Sequence, residues 1–260
     1  MNLRNPKVLI AAAVAAAGVI ALVLILVSVL GSSSGGDKNA VTTTARPVKT
    51  LPVEPDGGTG TTPAPAKVPG AAETVALFKG VPQKLNVAGK ATAPATMIEF
   101  ADLQCPFCRE YAVSALPALV TKYVRTGKVK FVFSGMHFIG PDSEKALHAV
   151  YAAGLQGHLW EMLHLLYKSQ GGENSGWVTD DLLRSVGASI PGFDTKKMLA
   201  DMSSPEVDAA IAAADQQSQK ASVNSTPTFF AGPTDGTLQH IDLTALTPQA
   251  FTPTLDALVK

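Results

Sequence analysis

Thr96-Met97-Ile98-Glu99-Phe100-Ala101-Asp102-Leu103-Gln104-Cys105-Pro106-Phe107-Cys108-Arg109 is the stretch on which the reading turns. Thr96 to Phe100 is a short, mostly apolar run of the kind that forms a strand. After Cys108 the period changes. Tyr111, Leu116, Leu119, Val120 and Tyr123 recur at helical spacing, and Gly127 supplies a stop signal. Val129-Lys130-Phe131-Val132-Phe133 then alternates as a second strand. A strand, a helix and a strand in so short a stretch predict a βαβ unit with parallel strands.

Downstream, strand signals disappear. Ser143 to Leu155, His158 to Lys168, Thr179 to Val186, Asp194 to Met202 and Pro205 to Ala221 read as helices. Thr179 and Ser204 stand at N-cap positions, and Pro205 is tolerated in a first turn. Strands return at Thr228-Phe229-Phe230-Ala231 and around Leu238 to Leu243, with Pro-Thr-Asp-Gly turn chemistry between them. A helix near Pro248 to Val259 follows. The expected order is βαβ, a helical insertion over about 142–221, then ββα: an α/β fold on a mixed sheet, occupying one domain over 73–260. His158, Trp160, Met162 and Leu163 read as the packed face of an inserted helix rather than as an exposed groove.

Upstream the composition shifts. Val8 to Leu30 holds no charged residue, Asn, Gln or Pro. At about 1.5 Å per residue such a helix spans a hydrocarbon core of about 30 Å. Arg4 and Lys7 precede it and uncharged residues follow, so the positive-inside rule puts residues 1–7 in the cytoplasm and the rest outside. The rival is a cleaved signal peptide, whose apolar region is usually about 7–15 residues long. Under either reading the chain is exported; a single-pass anchor at 8–30 is the expectation carried forward. Residues 31–72, rich in Ser, Thr, Gly and Pro, form the expected disordered linker, unable to bury enough surface to offset the entropy of ordering. With 21 basic and 21 acidic residues the chain has no net formal charge, and nothing in it points to nucleic acid.

The chain has two cysteines, Cys105 and Cys108, both at the predicted start of a helix. Free N–H groups and the positive end of the helix dipole favour a thiolate there, and the thiolate is the reactive form. Pro106 in the first turn sacrifices no hydrogen bond. Cys105, the outer sulfur, is the expected nucleophile, and Cys108, one turn inside, the expected resolving thiol of a redox-active Cys105–Cys108 disulfide. A zinc site would need further ligands, and His137, His148, His158, His164 and His240 show no paired spacing. A purely structural disulfide over two intervening residues would close a tiny loop and stabilise little. Neither a metal nor an organic cofactor is called for by this chemistry.

Phe100-Ala101-Asp102-Leu103-Gln104-Cys105-Pro106-Phe107-Cys108-Arg109 and Val223-Asn224-Ser225-Thr226-Pro227-Thr228-Phe229-Phe230 resemble the DsbA-type, thioredoxin-fold disulfide oxidoreductases of bacterial envelopes. The resemblance runs from about Thr74 to Lys260 and implies a thioredoxin-like fold with a helical insertion. It also implies that Thr226-Pro227 is a cis-proline loop beside the cysteines, offering backbone groups to an extended substrate. Glu99 sits where the family often carries a buried carboxylate, and Glu99 or Asp102 is expected to relay the proton of Cys108. Phe107 departs from the Pro-His dipeptide of the best-known oxidases. With no imidazole at that position, the Cys105 pKa is expected to lie above the strong-oxidant extreme of about 3.5. Arg109 is expected to face solvent.

The function these features imply is disulfide formation in unfolded or reduced exported proteins; the resemblance implies a membrane-embedded, quinone-linked partner to reoxidise the pair. A reductase or isomerase of the same fold, or a non-catalytic module that captures unfolded exported chains, are the alternative readings.

Overall fold

The computed structural model describes residues 65–260. The cytoplasmic segment expected at 1–7, the anchor at 8–30 and the linker up to residue 64 lie outside the described residues. No helix among those described is long and apolar enough to cross a membrane. The linker expected through residue 72 gives way earlier to packed structure. Helix α1 spans Ala71–Phe78 and buries Ala71, Thr74 and Phe78. Just before it, the Val68 N–H donates to Ser189 Oγ at 2.9 Å.

Two very short strands follow, β1 (Gln83–Lys84) and β2 (Val87–Ala88), paired antiparallel across a turn in which Leu85 has φ 50°. The βαβ unit is present as expected, with β3 at Ala95–Asp102 and β4 at Val129–Met136. These strands are parallel, Ile98 lying opposite Val132 and Glu99 opposite Phe133. The helix between them is not one rod. It divides into α2 (Pro106–Ser114), α3 (Leu116–Leu119) and a π-helical turn at Val120–Val124. Pro117 accounts for the first break: it has no N–H for the carbonyl one turn back, and its ring crowds that carbonyl.

The helical insertion comprises α4 (Pro141–Gly154), α5 (Leu159–Lys168), α6 (Asp180–Ala188), α7 (Thr195–Asp201) and α8 (Pro205–Lys220). The expected caps form: Thr179 accepts from the Leu182 N–H and Ser204 from the Val207 N–H. Leu159 to Tyr167 are all buried, so α5 is the centre of the insertion. A fully buried Leu or Met stabilises by roughly 1.5–3 kcal/mol relative to exposure, and α5 carries Leu159, Met162, Leu163, Leu165 and Leu166 in that state. Trp160 packs against Phe78 of α1 and Phe131 of β4, with ring centroids 6.2 and 6.4 Å apart. The insertion and the sheet therefore share one core, and the run His158 to Tyr167 is packing surface, as its sequence implied.

Strand β5 (Thr228–Pro233) runs antiparallel to β3, with Glu99 opposite Phe229. β6 (Gln239–His240) pairs with β5, completing the expected hairpin, and α9 spans Pro248–Leu258. Among the described residues the sheet order is β1-β2-β4-β3-β5-β6. β3 is thus flanked on both edges, and all eight of its residues are buried. Its C-terminal end delivers the chain directly to Cys105.

Candidate active site

Cys105 is the N-cap of α2, with an extended backbone (φ −68°, ψ 121°), and Pro106 opens the helix. This geometry puts a sulfur where Ser or Asp usually places a capping oxygen, facing the N–H groups of the second and third helical residues. Those are Phe107 and Cys108. The Cys105 thiol is lowered from 9.0 to about 6, chiefly by a hydrogen bond from the Cys108 thiol. Burial opposes this, and further donation from Thr226 and from the N–H groups of Cys108 and Phe107 assists it. Both sulfurs are in the dithiol form. Cys105 is 5% exposed and Cys108 is fully enclosed. Cys105 is thus the more exposed of the two, although even its sulfur shows only an edge.

What lies over Cys105 is the loop before β5. Thr226-Pro227 is a cis peptide bond, and the Thr226 carbonyl oxygen lies 3.4 Å from Cys105 Sγ. The two residues are 121 positions apart in the chain, and only the family resemblance had suggested that they meet. Phe107, 60% exposed, forms with Ser225, Thr226, Pro227, Ile241 and Leu246 part of the wall of a groove of about 370 Å³. Arg109 is exposed and donates from Nε to the Tyr167 carbonyl at 3.2 Å, which ties its side chain to the end of α5.

Beneath the cysteines the two carboxylates differ. Glu99 is buried in mid-strand, and its Oε1 has no hydrogen-bond partner among the described residues. Burial, with the nearby Cys105 charge adding to it, raises its pKa from 4.5 to about 8. The Cys108 thiol is pushed well above its ordinary value, first by burial, then by its hydrogen bond to Cys105, then by the Cys105 and Glu99 charges. Asp102 is buried too, but fully engaged. Its Oδ1 accepts from the Gln104 N–H at 2.8 Å and the Ser143 hydroxyl at 2.5 Å, and its Oδ2 from the Ile139 N–H at 3.2 Å. It fastens the strand end to α4.

Tyr111, Tyr167, Gln104, Gln170 and Asn174 complete the site, and the sequence reading did not single them out. Tyr167 donates its hydroxyl to the Asp102 carbonyl at 3.3 Å. Gln170 Nε2 donates to the carbonyls of Leu103 and Cys105 at 2.7 and 3.2 Å. Gln104 Nε2 donates to Ser143 Oγ and Asn174 Oδ1, both at 3.0 Å, and its Oε1 accepts from the Asn174 N–H. The insertion thus grips the loop from Asp102 to Cys105 by its backbone. Gln104 could have been suspected from its place beside Cys105; nothing in the local sequence marks Gln170 or Asn174.

The Thioredoxin family model matches residues 83–246, a span that includes β1, both cysteines, the insertion and the cis-proline loop. The chain belongs to the thioredoxin family. Within it, the chain is 32% identical over 162 residues to a probable disulfide bond formation protein D of Bacillus anthracis, covering 61% of this chain and 73% of that protein. It is 26% identical over 155 residues to the disulfide bond formation protein D of Bacillus subtilis, covering 59% and 68%. In fold it is similar to oxidised BdbD of Bacillus subtilis, with a TM-score of 0.58 at 21% identity over 69% of this chain and 97% of that one. Wolbachia pipientis α-DsbA1 gives 0.57 at 20% identity over 67% and 90%. The DsbA-type resemblance read from the two sequence motifs stands.

Within this thioredoxin-family site, Asn174 has φ 53°, a left-handed conformation that Asn tolerates better than most residues. Asn174→Ala is expected to destabilise the protein by about 1–2 kcal/mol, because the buried Gln104 amide loses its partner at the surface. Urea unfolding measures this directly. No loss of stability would mean that the grip on the loop lies elsewhere.

Proposed function

We propose that this protein forms disulfide bonds in exported polypeptides, from a catalytic domain held outside the cell membrane by an N-terminal anchor. The observation that carries the reading is the asymmetry of the two sulfurs. Cys105 is a stabilised thiolate against Thr226, which lines the groove, and Cys108 is an enclosed thiol held protonated beneath it. Thiol–disulfide oxidoreductase activity is what such a pair does, and the kinship with disulfide bond formation proteins agrees with it.

In the forming direction, a substrate thiolate attacks Cys105 Sγ of the Cys105–Cys108 disulfide, and Cys108 leaves as a thiolate. Glu99, protonated near neutral pH and near enough for its charge to raise the Cys108 thiol, is the candidate donor of the proton that converts Cys108 to its resting thiol. A second substrate thiolate then attacks the substrate sulfur of the mixed disulfide and expels Cys105. A leaving thiol of low pKa departs faster, so the value of about 6 favours transfer to substrate. Asp102 is the poorer candidate for the relay, since three donors already hold its carboxylate. The exposed Phe107 and the backbone of Thr226 suit an extended, unfolded partner bound by strand addition. The apolar segment at 8–30 and the basic residues before it support the anchor. The dithiol left after each cycle requires an oxidant, for which a membrane-embedded, quinone-linked partner is the natural candidate.

Trapping thiols by alkylation in intact cells tests the direction of flow. The pair is expected to be mostly oxidised; a mostly reduced pair would overturn the reading in favour of a reductase or isomerase. Phe107→His tests the tuning. An imidazole beside the sulfur adds a donor and a positive charge, and a tenfold gain in thiolate stability is expected. The Cys105 pKa would fall below about 6, and the potential would rise by about 30 mV. Thiolate absorbance against pH and equilibration with glutathione give both numbers, and an unchanged pKa would remove Phe107 from the tuning.

A further inference from the structure

The buried groups around Glu99 include one that the mechanism leaves unused. Tyr111 lies on α2 one turn beyond Cys108 and is fully enclosed. Its hydroxyl, like Glu99 Oε1, has no hydrogen-bond partner among the described residues. The two belong to one cluster. Glu99 stands opposite Phe229 in the β3–β5 register, and the Phe229 ring is 4.7 Å from that of Tyr111. Phe251 closes the other side, 5.3 Å from Tyr111 and 4.9 Å from Phe229. Buried polar atoms are rarely left unpaired, because each costs its full desolvation. A tyrosine placed among aromatic rings for packing alone would be a phenylalanine.

We propose that Tyr111 is a positioning residue for proton transfer, its hydroxyl donating to the Glu99 carboxylate whenever that group ionises. This rests on the reading of Cys105–Cys108 as a disulfide exchange site. When Cys108 leaves the disulfide as a thiolate, a proton passes from the Glu99 carboxyl to Cys108 Sγ and a carboxylate remains in an apolar enclosure. When a mixed disulfide is resolved in reverse, the proton returns from Cys108 to Glu99 as Cys108 attacks Cys105. In both directions the charge on Glu99 is transient, and a donor that never titrates in the working range stabilises it. Tyr111 qualifies, since burial, followed by the Glu99 charge, pushes its pKa well above 10.0. The other titratable groups facing the cluster are Cys105 and Cys108 on α2 and Tyr167 on α5. Tyr167 is already committed to the Asp102 carbonyl; Tyr111 is not.

The test is the pH profile of oxidation of the full-length dithiol protein by oxidised glutathione, followed through the mixed disulfide to its resolution by Cys108. The wild type is expected to show a limb near pH 6 from Cys105 and an upper limb near pH 8 from Glu99. Tyr111→Phe keeps the ring and its packing. It should leave the lower limb in place, raise the upper limb by about one pH unit and slow resolution by about tenfold at neutral pH. In the Glu99→Gln background, Tyr111→Phe should have no further effect on the profile. A Tyr111→Phe profile that superimposes on the wild type, a shift of both limbs together, or a shift that persists without Glu99 would each overturn the proposal. A wild-type protein unable to exchange disulfides at all would instead sink the functional reading on which it rests.

Discussion

Cys105→Ser is expected to reduce disulfide transfer to background, a loss of more than about 10³-fold, with little change in fold. Serine fits the same N-cap and accepts from the same N–H groups, so α2 should start as before. Its oxygen cannot form a disulfide, so no mixed intermediate arises. Cys108→Ser should fail differently. It leaves Cys105 able to react, with a hydroxyl in place of the Cys108 thiol as donor, but takes away the thiol that resolves the intermediate. Mixed disulfides with exported polypeptides should then accumulate, visible as reducible high-mass bands after acid trapping. A non-catalytic chaperone would keep its function in Cys105→Ser. Retained function in that variant is the result that would end the oxidoreductase reading.

How much of this was legible beforehand follows from the range over which each feature is determined. The run Thr96 to Phe100, the caps at Thr179 and Ser204 and the turn before β6 are local, and local chemistry placed them. Cys105 and Cys108 were legible because the helix start is local too: Pro106 fixes the first turn, and the sulfur needs only its next two amides. Thr226-Pro227 could be placed against them only through the family resemblance, since no spacing rule joins residues so far apart. β1 and β2 carry two residues each, too few to show alternation, and form because Val87 and Ala88 find β4. The division of the helix after α2 was readable from Pro117 but was masked by the continuing helical spacing beyond it.

The choice between Glu99 and Asp102 shows where sequence reasoning stops. Both are acids on one strand just ahead of the cysteines. What separates them is whether donors arrive from elsewhere: Ser143 from α4 and Ile139 from the loop before it reach Asp102, and the Glu99 Oε1 is left without one. The Gln104, Gln170 and Asn174 contacts are of the same kind, made across 39–70 residues. A one-sequence reading has no access to them.

The isolation of Glu99 also sets the second large effect, which appears in stability. A carboxyl whose folded pKa is about 8 against 4.5 in its ordinary state binds more protons in the folded protein throughout that window. Stability then falls as pH rises from about 4.5 to about 8 and changes little outside it. The shift corresponds to roughly 3 kcal/mol of lost stability at pH 7 and about 5 kcal/mol above pH 8. In the dithiol protein Cys105 works against this. Its pKa is lowered from 9.0 to about 6, so its contribution is complete above pH 9 and is lost as pH falls through 6, opposing Glu99 between pH 6 and 8. The disulfide form carries no such thiol and isolates the Glu99 effect, reduced somewhat because the Cys105 charge no longer adds to burial. Oxidised Glu99→Gln, a neutral replacement of nearly the same shape, should therefore be more stable than the oxidised wild type by roughly 2–3 kcal/mol at pH 7. The two should converge below about pH 4.5. Urea unfolding at several pH values measures the difference. Parallel curves, or a wild type that gains stability between pH 5 and 8, would show that Glu99 ionises freely in the folded protein, and the proton relay would lose its donor.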